Sequence, residues 1–277
     1  MATIPSPTPQ RLPAGSTADA PFQPWADCGA GDPFFYHVFS DDFDNTLGPT
    51  GLYTVSKGST GTAAHTAGDG GLGTLTTAAT NNDYVSLQLP AASFTLPQGA
   101  LAGKKLFYGA RLQLSDVNAS AFVAGLCDTT ATIFTTITDG IWFSKASGSS
   151  QLVLNIASGG VTQSYNVPTA AYSLVNATNL DFAFSIDRYG NVLAGVGAQM
   201  FGYIPQSGTG ANTPVGSYPS GRTVYPSMKV YSGNQPGTTA TGYTLTTANL
   251  NVTVGVKAGA AAAKSLQIDF HGVAKER

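Results

Sequence analysis

The order of apolar and polar residues predicts an all-β chain, an antiparallel β-sandwich of jelly-roll type preceded by an extended N-terminal arm. Three observations predict it. From about residue 34 apolar residues alternate with polar ones over short runs, Gly, Ser, Asn, Asp or Pro separates one run from the next, and no stretch sustains the period of an amphipathic helix. Helical geometry is expected only as single turns around Ala170 and Ala261. The 277 residues divide into an arm, 1–33, and one sandwich, 34–277, close to the roughly 200–250 residues that single all-β units reach.

The arm comes first in the chain. Seven prolines precede Phe34, and proline fixes φ while removing a backbone donor, so the segment favours extended, polyproline-like chain. It holds no run of about 7–15 apolar residues that would read as a secretory signal, and Ala2 stands where myristoylation needs glycine. Such a segment cannot build its own core, yet it carries Phe22 and Trp25. These two are the expected partner-binding residues, anchors for a neighbouring subunit.

The next segment, "SDDFDNTLG" at Ser40–Gly48, is the acidic cluster of the chain. Asp42-x-Asp44 begins like a calcium loop but lacks the central Gly and the closing Glu, so the aspartates are expected to end a first strand and turn the chain. A lectin-like calcium site assembled from several loops stays open as the lesser reading. "GDGGLG" at Gly68–Gly73 precedes no helix that could hold phosphate and reads as a turn.

Strands follow in close order. "LFYGARLQL" places Leu106, Tyr108, Ala110, Leu112 and Leu114 on one face and Phe107, Gly109, Arg111 and Gln113 on the other, a half-buried strand. "SAFVAGLCD", "DGIWFSKA", "QLVLNIA" and "VTQSYNV" continue the pattern. "LDFAFSIDRYGNVLAGVG" is a hairpin in which Phe182, Phe184 and Ile186 point inward and Asp187–Asn191 turn, Gly190 and Asn191 tolerating positive φ. "TVYPSMKVY", "YTLTTANLNVTVGVK" and "SLQIDFHGV" are the late strands, and "IPQSGTGANTPVGSYPSGR" is a long loop. Tyr203, Tyr218, Tyr225 and Tyr231 flank that loop. They are the sugar-binding candidates if the protein is lectin-like, against ordinary packing as the alternative.

Composition removes several function classes. Charged residues make up 10% of the chain against roughly 25% in an ordinary domain, so hydroxyls, amides and glycine must cover much of the surface, which suits contact with other protein. The net charge of −2, with Lys104-Lys105 as the nearest approach to a basic cluster, points away from nucleic acid. No apolar run of about 18 residues marks a membrane span. Glycoside hydrolysis ordinarily needs two carboxylates, and Glu276 is the sole glutamate; an Asp181–Asp187 pair is better read as capping the ends of the hairpin. Catalytic residues, cofactors and metal ligands are therefore expected to be none. His37, His65 and His271 read as polar strand or loop residues satisfied locally, and Cys28 and Cys127 as two free thiols.

"FSDDFDNTLG", "DGIWFSKASGSSQLVLNI" and "FAFSIDRYGNV", together with the proline-rich leader, resemble auxiliary structural proteins of tailed-bacteriophage virions that carry a concanavalin A-like or laminin-G-like jelly roll. The resemblance implies a non-enzymatic capsid decoration or cement protein, assembled as a homo-oligomer on the major capsid protein or other virion subunits and located in the virion. Its alternative is a carbohydrate-binding module of a tail fibre or host-attachment protein. If the arm serves assembly, deleting residues 2–26 leaves the monomer's melting temperature within a degree or two of the full chain's and weakens attachment to its particle in co-sedimentation; undiminished attachment would reduce the arm to a plain tail.

Overall fold

Among the described residues, alternation in the sequence becomes strand almost wherever it occurs. The computed structural model describes residues 36–43, 49–67, 71–97, 104–167, 169, 172–186, 190, 192–197, 199–203, 227–228 and 245–277. Within these lie β1 (Tyr36–Asp41), a single helical turn α1 (Pro49–Leu52), β2 (Thr54–Lys57), β3 (Thr62–Thr66), β4 (Leu72–Thr76), β5 (Tyr84–Gln88), β6 (Phe94–Thr95), β7 (Leu106–Leu114) and β8 (Ser120–Cys127). They continue with β9 (Gly140–Lys145), β10 (Leu152–Ser158), β11 (Val161–Asn166), β12 (Asn179–Ile186), β13 (Val192–Val196), β14 (Gln199–Tyr203), β15 (Ser227–Met228), β16 (Asn249–Ala258) and β17 (Ser265–Glu276). No helix among the described residues is long and apolar enough to cross a membrane.

Two sheets result. One runs β15-β14-β13-β12-β7-β17-β4-β3 with β1 also on β17, the other β11-β10-β9-β8-β16-β5-β2 with β6 also on β16. Apart from the short parallel contact of β14 with β15, the pairings are antiparallel. The twelve-residue β17 has one edge along β7 and shares the other between β4 and β1. The neighbouring pairs β7/β17 and β8/β16 sit at the centres of the two sheets, and the β7–β8 and β16–β17 connections cross between them. This is the expected jelly-roll sandwich.

The inward faces close on one apolar core. Leu106, Tyr108, Ala110, Leu112 and Leu114 of β7 are buried in it, as the alternation predicts, and Phe182 packs its ring between Phe122 of β8 (5.3 Å) and Phe143 of β9 (5.4 Å). Gly190 has φ +82°, in the expected hairpin between β12 and β13. Asp41 ends β1 and accepts a hydrogen bond from the Phe43 backbone N at 2.9 Å, Phe43 itself lying at φ +54°, so this carboxylate is spent on the turn. Of the glycine-rich segment 68–73, Gly71 lies at φ +86° just before β4, Leu72 and Gly73 belong to β4, and 68–70 lie outside the described residues. No strand or helix runs around Ala261, and the described part of the Ala170 region holds one 3₁₀ residue at 169.

Three expectations change. The β7 strand is buried on both faces at its start, because Phe107 packs with Ala183, Phe270 and Ala274 on the outer side of the nine-stranded sheet. Asp181 does not cap a hairpin end: it receives the Arg111 guanidinium from the adjacent strand, Nε at 2.6 Å and Nη2 at 3.2 Å, with Asp269 at 3.4 Å on the other side. Asp187, its proposed companion, lies outside the described residues, as do Cys28 and the long loop after Tyr203. Cys127 is a buried free thiol.

The third change is His271, which lies in a strand as expected but is not satisfied locally. The register of β17 against β7 slips by one residue between Ile268 and Phe270, so Asp269 is a β-bulge. A one-residue insertion exchanges the two faces of everything after it. Phe270 turns out toward Phe107, and His271 turns into the core with no exposure, opposite Asp41 in register and edge-on to Tyr108 at 5.6 Å. Neither ring nitrogen has a hydrogen-bond partner among the described residues.

Burial pushes the His271 pKa down from its ordinary value to about 3. The folded state thus refuses a proton that the unfolded chain accepts below about pH 6.5. The histidine lets stability stand in full above that pH and drains it as pH falls toward 3, by up to about 1.4 kcal/mol per pH unit. Urea titrations from pH 7 to pH 4 should show this slope, and His271→Leu should flatten it.

Candidate functional site

Cross-strand register sorts the eight-stranded sheet into two faces. Phe122, Ala124, Ile141, Phe143, Val252 and Val254 look into the sandwich. The opposite parity gives an outward row of successive partners from β11 to β2: Ser164, Asn155, Trp142, Gly125, Thr253, Gln88 and Thr54. The neighbouring row brings Val153, Ser144, Val123, Gly255 and Ser86 onto the same face. This face is mainly amide, hydroxyl and glycine, with one tryptophan.

The β8–β9 connection, residues 128–139, folds back across it as a strap. Ile133 is buried against Val123, Cys127, Trp142 and Ala157, with Phe134 and Ile137 packing alongside. Glycine is required beneath: a Cβ on Gly255 would stand 2.6 Å from Ile133 Cδ1, and one on Gly125 would stand 2.5 Å from the Trp142 Cα on the adjacent strand. The strap is pinned at its base. The Asp128 backbone N donates to Asp139 O at 2.9 Å, and the Thr138 hydroxyl lies 2.9 Å from Asp128 Oδ2. Gln88 donates to Asp128 O at 3.0 Å and accepts from the Thr130 backbone N at 3.1 Å. Burial alone would raise the Asp139 pKa, but hydrogen bonds from Thr246, Gly159 and Thr138 hold it below the usual carboxylate value.

Between the strap and the strand ends opens a groove of about 440 Å³. Phe134 and Trp142 provide its aromatic walls, Ala121 and Val123 part of its floor, and Asn82, Ser144, Ser147, Asn155 and Lys257 its polar groups. Phe134 is partly exposed and leans on Tyr84 at a ring distance of 6.1 Å, whereas Trp142 shows only 7% of its surface. The Asn155 amide is fixed on both sides, Nδ2 donating to Ser144 Oγ at 2.8 Å and Oδ1 accepting from Ser164 Oγ at 2.7 Å. It retains a second N–H and a free lone pair.

Lys145 closes one end of the groove from beneath. Its side chain is 1% exposed, and its ammonium donates to Ser120 O at 2.7 Å and Ala146 O at 3.0 Å. Burial pulls its pKa below the ordinary lysine value, while Asp116 opposes that shift through space. Asp116 is itself engaged by Lys264 at 2.6 Å and by the backbone N of Ala119 and Asn118, which hold its pKa at about 2. None of the described residues lining the groove is Asp, Glu, His or Cys. Among the described residues no three His, Cys, Asp or Glu side chains converge as a cation site.

Of the tyrosines singled out from sequence, one is described. Tyr203 ends β14, in the nine-stranded sheet rather than the one bearing the groove. Tyr218, Tyr225, Tyr231, Phe22 and Trp25 lie outside the described residues. Sequence reasoning passed over Trp142, although a signal was present: in "DGIWFSKA" the alternation that sends Ile141 and Phe143 inward must send Trp142 out. Phe134 carried no such signal, because it sits in a connection whose path no periodicity dictates.

No protein-family model matches the sequence, and no curated protein matches it. Solved structures do resemble the fold. The globular domain of T. cruzi calreticulin superposes with a TM-score of 0.51 at 9% identity, over 86% of this chain and 88% of that one. An endo-β-1,4-glucuronan lyase from the fungus Trichoderma reesei gives 0.49 at 10%, over 86% and 94%. The potassium-bound carbohydrate recognition domain of Emp46p gives 0.48 at 7%, over 84% and 94%. At 9% identity the likeness to the calreticulin domain shows a shared β-sandwich fold and nothing finer.

If Ile133 is the pin that holds the strap, Ile133→Ala should cost about 2–4 kcal/mol and shift Trp142 emission to longer wavelength in a Trp25→Phe background. Unchanged emission would mean that the strap stays seated without it.

Proposed function

We propose that the chain is a carbohydrate-binding, lectin-like module and that the groove beneath the β8–β9 strap holds the saccharide. The observation that carries this reading is the composition of the groove: partly exposed Phe134, with Trp142 largely covered by the strap, beside fixed amide and hydroxyl groups and no carboxylate among the lining residues. A sugar ring offers an apolar face of C–H bonds and an equatorial fringe of hydroxyls. Aromatic side chains serve the first, and Asn and Ser, which both donate and accept, serve the second. Because Asn155 is held by Ser144 and Ser164 before any ligand arrives, little side-chain entropy remains to be lost on binding.

The same lining supports binding over glycoside hydrolysis. General acid–base cleavage of a glycosidic bond usually uses two carboxylates about 5–9.5 Å apart, and the groove supplies none. The resemblance to virion proteins adds a setting: we place the module in the host-attachment apparatus of a tailed bacteriophage, with capsid cement as the competing role. Particles stripped of the protein should lose adsorption to host polysaccharide while their shells keep the same heat resistance. Shells that break earlier, with adsorption unchanged, would reverse the assignment.

At the level of the groove, Phe134→Ala and Asn155→Ala should each weaken saccharide binding roughly five- to thirty-fold, as loss of about 1–2 kcal/mol of stacking or hydrogen bonding implies. Isothermal titration against a glycan identified by array screening measures this. Substitutions at Tyr203, Tyr218, Tyr225 and Tyr231 serve as the comparison, and if these rather than the groove variants abolish binding, the site lies at the long loop.

A further inference from the structure

The groove's charge is one-sided. Lys257 lies on its floor, flanked in register by Ala121 on β8 and Tyr84 on β5. It is partly buried, yet it has neither an ion-pair nor a hydrogen-bond partner among the described residues. The nearby acids are turned elsewhere. Asp83, next to Asn82, is buried, its Oδ2 accepting from the Ala78 backbone N at 2.5 Å and its Oδ1 lying toward Gly58 without a hydrogen-bond partner among the described residues, and Asp116 is taken by Lys264. The second ammonium at the groove, Lys145, is met only by the carbonyls of Ser120 and Ala146. In a chain with so few charges, two ammonium groups sharing one groove with no carboxylate among its lining residues is a specific arrangement.

Resting on the saccharide-binding reading, we propose that the groove selects an acidic saccharide, its carboxylate paired with the Lys257 ammonium while the sugar ring lies against Phe134. A half-desolvated cation without a partner gains on meeting an anion, since the attraction is stronger than in open water and part of the desolvation is already done. A neutral sugar leaves that cation unanswered. The field of Lys145 beneath the groove adds in the same direction, offset only in part by Asp116, which Lys264 already engages. An arginine would fork onto both oxygens of an anion; a single lysine acts as a point charge, which suits one monovalent group on a ring positioned by other contacts.

The experiment is titration calorimetry of the full chain with three matched oligosaccharides of one linkage: an oligouronate, its carboxyl-reduced neutral counterpart, and a sulfated neutral oligomer. Each is measured at low and at 0.5 M salt. The expected result is roughly ten-fold tighter binding of the oligouronate than of the neutral oligomer, the equivalent of one charge-assisted hydrogen bond. That margin should shrink at high salt. Lys257→Gln should erase the margin, bringing uronate and neutral affinities together, and Lys257→Arg should restore part of it. Lys257 is partly solvent-accessible, and a thermal melt verifies that both variants remain folded.

Equal affinity for uronate and neutral oligomers, or a uronate preference that survives Lys257→Gln, overturns the acidic-ligand proposal and leaves saccharide binding standing. Preference for the sulfated oligomer alone overturns the carboxylate assignment. Absence of binding to all three, and to the neutral glycans of an array, overturns the underlying reading.

Discussion

Burial of one face of the eight-stranded sheet against the nine-stranded sheet is the constraint from which the rest follows. Once Phe122, Ile141, Phe143, Val252 and Val254 are committed to the core, strand geometry leaves their immediate neighbours no choice but to face outward. Trp142, Asn155, Ser144, Thr253 and Lys257 are therefore gathered on one surface by the packing of other residues. The central pairs β7/β17 and β8/β16 hold that arrangement because their connections pass from one sheet to the other. Neither sheet can slide without breaking both.

An outward sheet face is flat, and a flat face encloses nothing. The strap converts it into a groove, and glycine makes the conversion possible. Gly255 leaves the hollow that Ile133 fills, and Gly125 lets the adjacent strand approach at Trp142. The polar base of the strap, with Asp128, Thr138, Asp139 and Gln88, satisfies backbone groups that would otherwise be stranded where the chain leaves β8 and returns to β9. Most of the acidic side chains near this face are thus occupied in turns. That division of labour leaves the groove to neutral hydrogen-bonding groups and two lysines.

The scarcity of charge acquires a pattern in three dimensions. Arg111 is held between Asp181 and Asp269 on the outside of the nine-stranded sheet, and Lys264 holds Asp116 at the β7–β8 turn. These pairs tie neighbouring strands or connections together at the surface, where such contacts are individually weak, about 0–1 kcal/mol, but geometrically selective. Lys257 stands apart from them, which is why it bears on ligand choice rather than on holding strands in place.

How much of this was readable from the sequence depends on the range of the interaction concerned. Period-two alternation is local, so the chain alone determined the fold class, the strand character of segments such as Leu106–Leu114, the inward set Phe182, Phe184 and Ile186, and the turn at Gly190. Turn chemistry is local too, which is why Asp41 proved to be a turn residue. The phase of an alternation is another matter. The bulge at Asp269 is fixed by the register of β17 against β7, and that register alone carries His271 into the core and Phe270 out of it. The groove is further still from sequence order: Asn82, Phe134, Asn155 and Lys257 come from segments up to 175 residues apart (257 − 82). They share a surface only because β5, β8, β9, β10 and β16 are neighbours in one sheet, and a connection without periodicity folds over it. Pairing between distant strands is decided by which faces can be buried together, a property of the assembled sandwich that no single segment contains.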